Sequence, residues 1–235
     1  APGYVQANVV ILPDAHAGDF LRFCHLNPKP CPLLAVSEPG DPRLPTLGDC
    51  NLLDDLPAYR VFENGAVREE VHSLDGLWQD DFVGFALGCS FSFEEALIAD
   101  GLEVRNVSEG RNVPMYRTNI DCNPSGPFLG PLVVSMRPLL AEDVAQADEL
   151  TSRFPHFHGR PVHHGDPQAI GINDLSQPDF GDAVTINEGE VPVFWACGVT
   201  PQCALESARL PFAITHSPGH MFVTDMTNEE VLFNE

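Results

Sequence analysis

The strongest restriction on the fold of this chain comes from strand-type and helical segments that alternate along its 235 residues. The run YVQANVVILP, at 4–13, is predicted to form a strand. A helix is predicted over 14–26, with Asp14 as its cap and Asn27-Pro28 as its end. Such alternation predicts an α/β protein, and β-dense stretches indicate a smaller second lobe.

Turn and capping signals predict the elements that follow. The proline-punctuated segment 27–45 is predicted to be irregular. Asn64-Gly65 lies between two short β-like runs and is typical of a hairpin turn. The segment 78–101 is predicted to hold two helical pieces that are separated at 88–90.

The second half of the chain is predicted to begin with strands. Residues 103–137 are expected to be β-rich, and 140–154 carry one apolar face of a helix. The apolar run VPVFWA is predicted to be a strand that leads into a short helix ending near 209. The stretch FAITHSPGHMFVTD, at 212–225, has the pattern of a final hairpin.

Charge and cysteine usage restrict the partners of the chain. The net charge of −22 repels nucleic acid and anionic lipid, so we expect neither nucleic acid nor a membrane as a partner. No run approaches the ~20 apolar residues that cross a bilayer, and no signal peptide opens the chain. Seven cysteines without CxxC pairs indicate reduced thiols and a cytoplasmic protein. Because the chain begins at Ala1 in a strand-type run, we expect a further segment upstream. Whether the protein associates into a homo-oligomer stays open.

Two predicted helix starts carry a cysteine and are candidate ligand sites. Cys197, Gly198 and Thr200 lie where a strand turns into a helix, and free N–H groups at helix starts bind anions. A thiol in that field is expected to have a lowered pKa. The alternative is that Cys197 is a small buried apolar residue and Thr200 a simple helix cap.

The segment GCSFSFEEAL repeats this arrangement. Cys89 and Ser90 lie in the break before a helix, and Ser92 with Glu95 has the spacing of a capping box. Glu94 is then free to act as a general base or acid. The alternative for Glu94 is a solvated glutamate in the first helical turn.

A polar group in the middle of the chain has the chemistry to bind a carboxylate. Tyr116, Arg117 and Asn119 lie in MYRTN, and Arg137 ends VVSMRP. Arginine binds carboxylates in a bidentate manner, which makes these two arginines candidate substrate ligands. They could instead neutralise nearby acidic residues.

Histidines gather near the end of the chain, mostly in turn sequences. His163 with Asp166, or His216 with His220 and Asp225, could orient a general base or hold a divalent metal. No zinc-type spacing is present, so we predict neither a metal nor another cofactor. The alternative is a divalent metal held by these histidines. His156, His158 and His164 are expected to be hydrogen-bonded surface residues.

These motifs together resemble a known family. The segments GYVQAN, NPKPCPLL, GCSFSFE, NVPMYRTNI, VVSMRP, HGDP, PVFWACGVTPQ and THSPGHMFVTD are similar, in that order, to the DUF1445/YcsI-like hydro-lyase family, which is grouped with D-glutamate cyclase. The resemblance implies a three-layer α/β/α sandwich with a smaller two-layer α+β lobe. We assign residues 1–102 and 160–235 to the main domain and 103–159 to the smaller lobe.

The resemblance also implies a lyase that removes water, with closure of D-glutamate to 5-oxo-D-proline as the expected reaction. Ring closure requires a base, an acid, donors for an oxyanion and a cation for the spectator carboxylate. We expect Glu94 or His163 as base, His220 as acid, N–H groups near Cys89 and Cys197 as oxyanion donors, and Arg117 with Arg137 as the carboxylate clamp; the other expected substrate ligands are Ser90, Ser92, Tyr116, Asn119, Gly198, Thr200 and His216.

Three alternatives accompany this expectation. Cys89 or Cys197 could attack the substrate first and form a thioester. The protein could instead bind or sense a small carboxylic acid without turnover, which needs the arginines but not the thiols or histidines. It could also dehydrate another hydroxy-acid with the same clamp. In each case the partner is a small dicarboxylate or amino acid.

Overall fold

Two antiparallel sheets form the framework of residues 3–233, the part of the chain that the computed structural model describes. The mixed α/β class is confirmed, since six α-helices and eleven strands occur in this part. The helices are α1 (Asp14–Leu26), α2 (Phe91–Ala99), α3 (Arg105–Ser108), α4 (Val144–Thr151), α5 (Val199–Ala208) and α6 (Asn228–Phe233). The longest of these helices has 13 residues, and none of the described helices is long and apolar enough to cross a bilayer.

The larger sheet has seven strands, in the order β2-β5-β1-β10-β3-β4, with β11 also paired to β1. Its strands are β1 (Tyr4–Pro13), β2 (Leu33–Val36), β3 (Tyr59–Glu63), β4 (Ala66–Val71), β5 (Phe82–Gly88), β10 (Ala213–His216) and β11 (Phe222–Thr227). Strand β1 lies inside the sheet and is buried on both faces: Val10 and Leu12 enter one core, and Val9 and Ile11 enter another. Burial on both faces explains why this strand is an almost continuous apolar run.

The smaller sheet has the order β6-β7-β9-β8. Its strands are β6 (Met115–Asp121), β7 (Pro131–Leu140), β8 (His163–His164) and β9 (Glu190–Ala196). Sheet membership divides the chain differently from the predicted domains, because β8 and β9 lie in 160–235 yet belong to the same sheet as β6 and β7. The reason is that β9 pairs along its whole length with β7, from Ala196 opposite Val134 to Glu190 opposite Leu140. The domain boundaries and the three-layer arrangement stay predictions.

The largest correction to the predicted elements concerns residues 82–88. This stretch was expected to be helical, but it forms β5, which pairs with β1 from Pro13↔Phe82 to Ala7↔Gly88. All seven residues of β5 are buried. A short apolar run that is buried on both faces lacks the period-2 alternation of a half-exposed strand, so periodicity alone does not separate it from a helix.

Turn chemistry predicts one hairpin correctly and one wrongly. Asn64 and Gly65 both have positive φ, of 51° and 80°, and join β3 to β4 as predicted. The expected final hairpin does not form, because β10 and β11 both pair with β1 instead of with each other. Central strand β1 offers enough length for both, at Val10–Ile11 and near its beginning.

The helix ranges predicted from the sequence agree with the structure better than the predicted helix caps do. Helix α1 spans the predicted range, but Pro13 takes the cap position and Asp14 is the first helical residue. The end at Asn27 is confirmed, since the Asn27 side chain donates to the Phe23 carbonyl at 2.8 Å. Helix α4 lies inside the predicted 140–154. The segment predicted to be irregular contains the short strand β2.

Candidate active site

The two cysteine-bearing helix starts lie against one cavity of about 340 Å³. At one side β5 ends at Gly88, and Cys89-Ser90 leads into α2. At the other side β9 ends at Ala196, and Cys197-Gly198 leads into α5. Cys89, Ser90, Cys197, Gly198 and His216 all line this cavity, so the structure brings together five of the residues that the sequence analysis singled out.

Glycine is required at both helix starts because the chain passes close to its neighbours there. A Cβ at Gly88 would lie 1.9 Å from the carbonyl oxygen of His156. A Cβ at Gly198 would lie 2.2 Å from Nδ2 of Asn8. Both distances are far inside van der Waals contact, so a larger residue at either position would displace its neighbour, and at Gly198 that neighbour, Asn8, is part of the cavity wall.

No side chain caps either helix start. Ser90 and Gly198 take the cap positions, without a side-chain hydrogen bond to the helix. The predicted capping box is wrong: Glu95 instead accepts hydrogen bonds from Gly3 N, and Ser92 Oγ is buried without a partner among the described residues. Phe91 N–H and Val199 N–H, the first N–H groups of α2 and α5, therefore lie in the cavity wall without a capping side-chain oxygen, an arrangement that favours an anion. The next N–H groups, those of Ser92 and Thr200, already donate to backbone carbonyl oxygens.

The predicted role of Thr200 is also corrected. Its Oγ1 accepts a hydrogen bond from the Val133 backbone N–H at 3.0 Å, and the side chain is buried. Thr200 thereby links α5 to β7 instead of capping its own helix. Its hydroxyl does not line the cavity, and neither does that of Ser92.

The thiols of Cys89 and Cys197, the two cysteines at the helix starts, are protonated at neutral pH. Burial raises the pKa of Cys89 to about 12 and that of Cys197 to about 11. The nearby N–H groups of Phe91 and Val199 oppose this shift, as the sequence analysis expected, but burial outweighs them. The expected lowering of the thiol pKa is therefore overturned.

Arg137 and Glu94 form a buried ion pair behind the cavity wall. Arg137 Nε lies 3.0 Å from Glu94 Oε1, Nη2 contacts the same oxygen, and the arginine side chain is 0% exposed. Arg137 Nη2 also donates to Ser90 Oγ at 3.1 Å. The expected roles of Arg137 in the carboxylate clamp and of Glu94 as base are corrected, because each is already occupied by the other and neither lines the cavity.

The other polar residues of the predicted clamp lie outside the cavity. Arg117 stacks over Phe180 at 4.9 Å and is within 3.8 Å of Asp179 and of Glu206, so it balances acidic residues on the outer side of the wall. Tyr116 is buried and donates to the Leu175 carbonyl at 2.7 Å. Asn119 is exposed, packs against Gly171 and does not line the cavity.

The late histidines separate into different sites. His163 belongs to the second sheet, where its Nε2 lies 2.7 Å from the Asp166 carbonyl oxygen, and it does not line the cavity. His220 is exposed next to the cavity rim, with Nδ1 3.2 Å from the Pro218 carbonyl oxygen. The expected base and acid roles of these two residues are therefore not supported by their positions. His158, which was expected at the surface, is fully buried.

His216 is the histidine that faces the cavity. Its Nδ1 accepts a hydrogen bond from the Val9 backbone N–H at 3.1 Å, so the proton of the neutral ring lies on Nε2. Burial lowers the pKa of His216 to about 4, which keeps the ring neutral at physiological pH. His216 is thus a fixed N–H donor. Asp225, its expected partner, instead accepts from the Asp49 backbone N–H at 2.9 Å.

Five polar residues of the cavity wall were not predicted from the sequence: Asn8, Arg60, Asn112, Gln202 and Glu206. Arg60 lies on β3, opposite Thr215 of β10, and pairs with Glu70 at 2.7 Å. The scarcity of cations in an acidic chain is the signal that could have drawn attention to Arg60. Asn8 lies between Ala7 and Val9 in a strand, and an amide between apolar residues is a detectable signal. No group of three His, Cys, Asp or Glu residues in the described part of the chain is arranged to hold a metal.

Comparison with known proteins gives consistent relatives. A family model described as D-glutamate cyclase matches residues 83–225. A Bordetella pertussis protein named "Putative hydro-lyase" is 62% identical over 232 residues, which is 98% of this chain and 84% of the relative. A Paraburkholderia phymatum protein of the same name is 62% identical over 226 residues, covering 96% and 88% of the two chains. A solved nitrogen repressor-like protein from Methanococcus jannaschii has a TM-score of 0.42 and 9% identity over 95% of this chain and 88% of its own, which is too little to carry an argument.

Proposed function

The chain belongs to the D-glutamate cyclase family, and from this premise we propose that it closes D-glutamate to 5-oxo-D-proline with loss of water. The family and the names of the relatives support a lyase-type function. The observation that carries the finer proposal is the convergence of two uncapped helix starts, two thiols and a neutral imidazole N–H on one small cavity.

The cavity suits an anionic substrate although the molecule is acidic. Partial positive charge at the starts of α2 and α5 attracts a carboxylate, and the N–H groups there donate hydrogen bonds to it. Arg60 in the same wall pairs with Glu70 through Nε, and its Nη groups are the donors for a second carboxylate. These local donors are needed because the net charge of −22 repels a dicarboxylate from the rest of the surface.

The neutral His216 ring suits the role of oxyanion donor. When the substrate amine attacks the side-chain carboxyl carbon, negative charge collects on a carboxyl oxygen. An N–H donor that is fixed before the reaction stabilises this charge without reorganisation. Because Val9 N–H occupies Nδ1, His216 cannot take a proton through that atom, so Nε2–H donates and does not act as a base.

The thiols suit proton donation to the departing hydroxyl. In ring closure the N–C bond forms, the C–OH bond breaks, and the hydroxyl leaves as water with a proton from Cys89 or Cys197. Glu206, the carboxylate in the cavity wall, takes a proton from the amine and returns it to the thiolate. In the thioester alternative, the same thiol first displaces the hydroxyl as water, and the amine then displaces the thiol.

The test is conversion of D-glutamate to 5-oxo-D-proline by the purified protein, followed by mass as the loss of water. Cys89→Ser and Cys197→Ser are compared with Cys50→Ser, a matched control in which a buried thiol of another core is replaced. We expect at least one cavity variant to lose roughly 100-fold or more in kcat, as expected for loss of a general acid or nucleophile, while the control stays active.

Two outcomes would contradict the proposal. Full activity in both cavity variants removes the thiols from the mechanism. Absence of turnover with D- and L-glutamate and with small hydroxy-acids, with and without divalent metal, contradicts the lyase. If the acids nevertheless raise the melting temperature, the non-catalytic binding protein is the better description.

A further inference from the structure

Asn8 lies between the two helix starts and contacts both. In strand β1 it is opposite Leu87, one residue before Gly88. Its Nδ2 donates to the Gly88 carbonyl oxygen at 3.2 Å. A Cβ built on Gly198 would lie 2.2 Å from Nδ2 and 2.9 Å from Oδ1, so the carboxamide lies directly against the second helix start.

The bond to Gly88 sets the orientation of the Asn8 amide. Only the NH₂ group can donate to a carbonyl oxygen, so Oδ1 is the atom that remains as an acceptor. Within the described residues, no donor is hydrogen-bonded to this Oδ1. The side chain is 7% exposed, and it lines the cavity. An unpaired acceptor in this position is available to a ligand.

The other buried polar side chains in the wall are donors. His216 offers Nε2–H, as shown by the bond that Val9 N–H makes to its Nδ1. Ser90 Oγ accepts from Arg137, which leaves its own O–H free to donate. Donors satisfy carboxylates, but an amino group needs an acceptor. Glu206, which takes one proton from the amine in the proposed mechanism, is exposed. Asn8 Oδ1 is therefore the buried side-chain acceptor that the described wall offers to the other N–H groups of the amine.

We propose that Asn8 determines the selectivity of this cavity for amino-dicarboxylates: Oδ1 accepts a hydrogen bond from the substrate's amino group. The inference rests on the proposed function, because it assumes that the cavity binds a small dicarboxylate. Asn8 does not exchange protons in this role. It lets the cavity bind an amino-dicarboxylate more tightly than a dicarboxylate of the same length that lacks the amino group.

The experiment compares D-glutamate with glutarate, which has the same two carboxylates and no amino group. Dissociation constants are measured by equilibrium titration in the cold for the wild-type protein and for Asn8→Leu, Asn8→Ala and Asn8→Asp. After each titration the glutamate is recovered and quantified, which checks that it was bound and not converted. A hydrogen bond to a charged group predicts that the wild type binds D-glutamate about tenfold more tightly than glutarate. This preference is expected to vanish in Asn8→Leu and Asn8→Ala and to persist in Asn8→Asp, which keeps an acceptor.

Arg60→Gln is the matched control, because loss of a carboxylate ligand weakens both compounds equally and leaves their ratio unchanged. A merely structural Asn8 would behave like this control. The inference is overturned if the wild type has no preference, if neither compound binds, or if Asn8→Leu and Asn8→Ala weaken both compounds by the same factor. A protein that prefers D-glutamate but does not convert it contradicts the proposed cyclisation and leaves the role of Asn8 standing.

Discussion

At the scale of single residues, burial decides the protonation state of the groups around the cavity. Cys89 and Cys197 lie at helix starts, where the local field favours a thiolate, yet burial raises the pKa of both thiols. Burial has the opposite effect on the imidazole of His216, whose charged form is the protonated one. A buried site without a ligand therefore holds neutral thiols and a neutral histidine.

The two buried histidines make the stability depend on pH. Burial lowers the pKa of His158 and of His216 to about 4, from an ordinary value of 6.5. Above pH 6.5 both rings are neutral in the folded and the unfolded chain, and they add no pH dependence. As the pH falls from 6.5 towards 4, the unfolded chain binds protons that the folded protein does not, so the free energy of unfolding decreases, by about 3 kcal/mol for each histidine.

Denaturant titrations at a series of pH values measure this decrease. Carboxylates also contribute at acid pH, so the comparison is with His158→Gln, which removes one of the two imidazoles. We expect the histidine contribution to fall by roughly half in the variant. An identical pH dependence in both proteins would show that His158 is not buried as a neutral ring.

At the scale of elements, the Arg137–Glu94 pair connects the smaller sheet to a cavity-forming helix. Arg137 lies on β7 and Glu94 on α2, and the guanidinium also stacks over the rings of Phe93 and Trp195 at 5.0 and 5.4 Å. Through Ser90 the same arginine contacts the start of α2. The pair thus positions one wall of the cavity without contacting what the cavity holds.

Removal of both partners is expected to cost less than the sum of the two single removals. Glu94→Gln and Arg137→Met each leave a buried group without its ionic partner and are expected to destabilise the protein by about 3–5 kcal/mol. The double variant Arg137→Met/Glu94→Gln leaves no buried charge and is expected to cost clearly less than the sum of the single variants. Denaturant unfolding of the four proteins measures the coupling, and additive losses would contradict a buried pair.

At the scale of the whole molecule, net charge dominates the electrostatics. The chain has 34 acidic residues against 12 lysines and arginines. Several of the arginines are held in ion pairs, among them Arg43, Arg68 and Arg160. The excess negative charge repels itself in the folded state, and salt screens this repulsion within about 10 Å at 0.1 M.

Moderate salt is therefore expected to stabilise the protein. We expect the melting temperature to rise as NaCl is added from low ionic strength. Asp75→Asn/Asp80→Asn, which removes two exposed negative charges, is expected to melt higher than the wild type at low salt and to respond less to added salt. A melting temperature that falls with salt would show that attractive ion pairs outweigh the net repulsion.

Sequence reasoning recovered the features that depend on neighbouring residues. The Asn64-Gly65 turn, the range of α1 and the two cysteine-bearing helix starts follow from local backbone preferences, because positive φ, capping and proline act over a few residues. It failed for 82–88, where pairing with β1 decides between strand and helix, and for the caps at Asp14 and Ser92. Caps are decided within about one residue by the geometry of the preceding chain.

By itself, the sequence determined the mixed α/β class, the family and the two helix starts that form the cavity, since each follows from local patterns or ordered motifs. Only the tertiary structure decided that Arg137 faces Glu94, that His216 and not His163 enters the cavity, and that Asn8 presents an unpaired oxygen there. Those facts depend on contacts between residues far apart in the chain and on burial, which sets pKa values and hydrogen-bond partners. Neither the long-range contacts nor the burial of a residue can be read from its neighbours in the sequence.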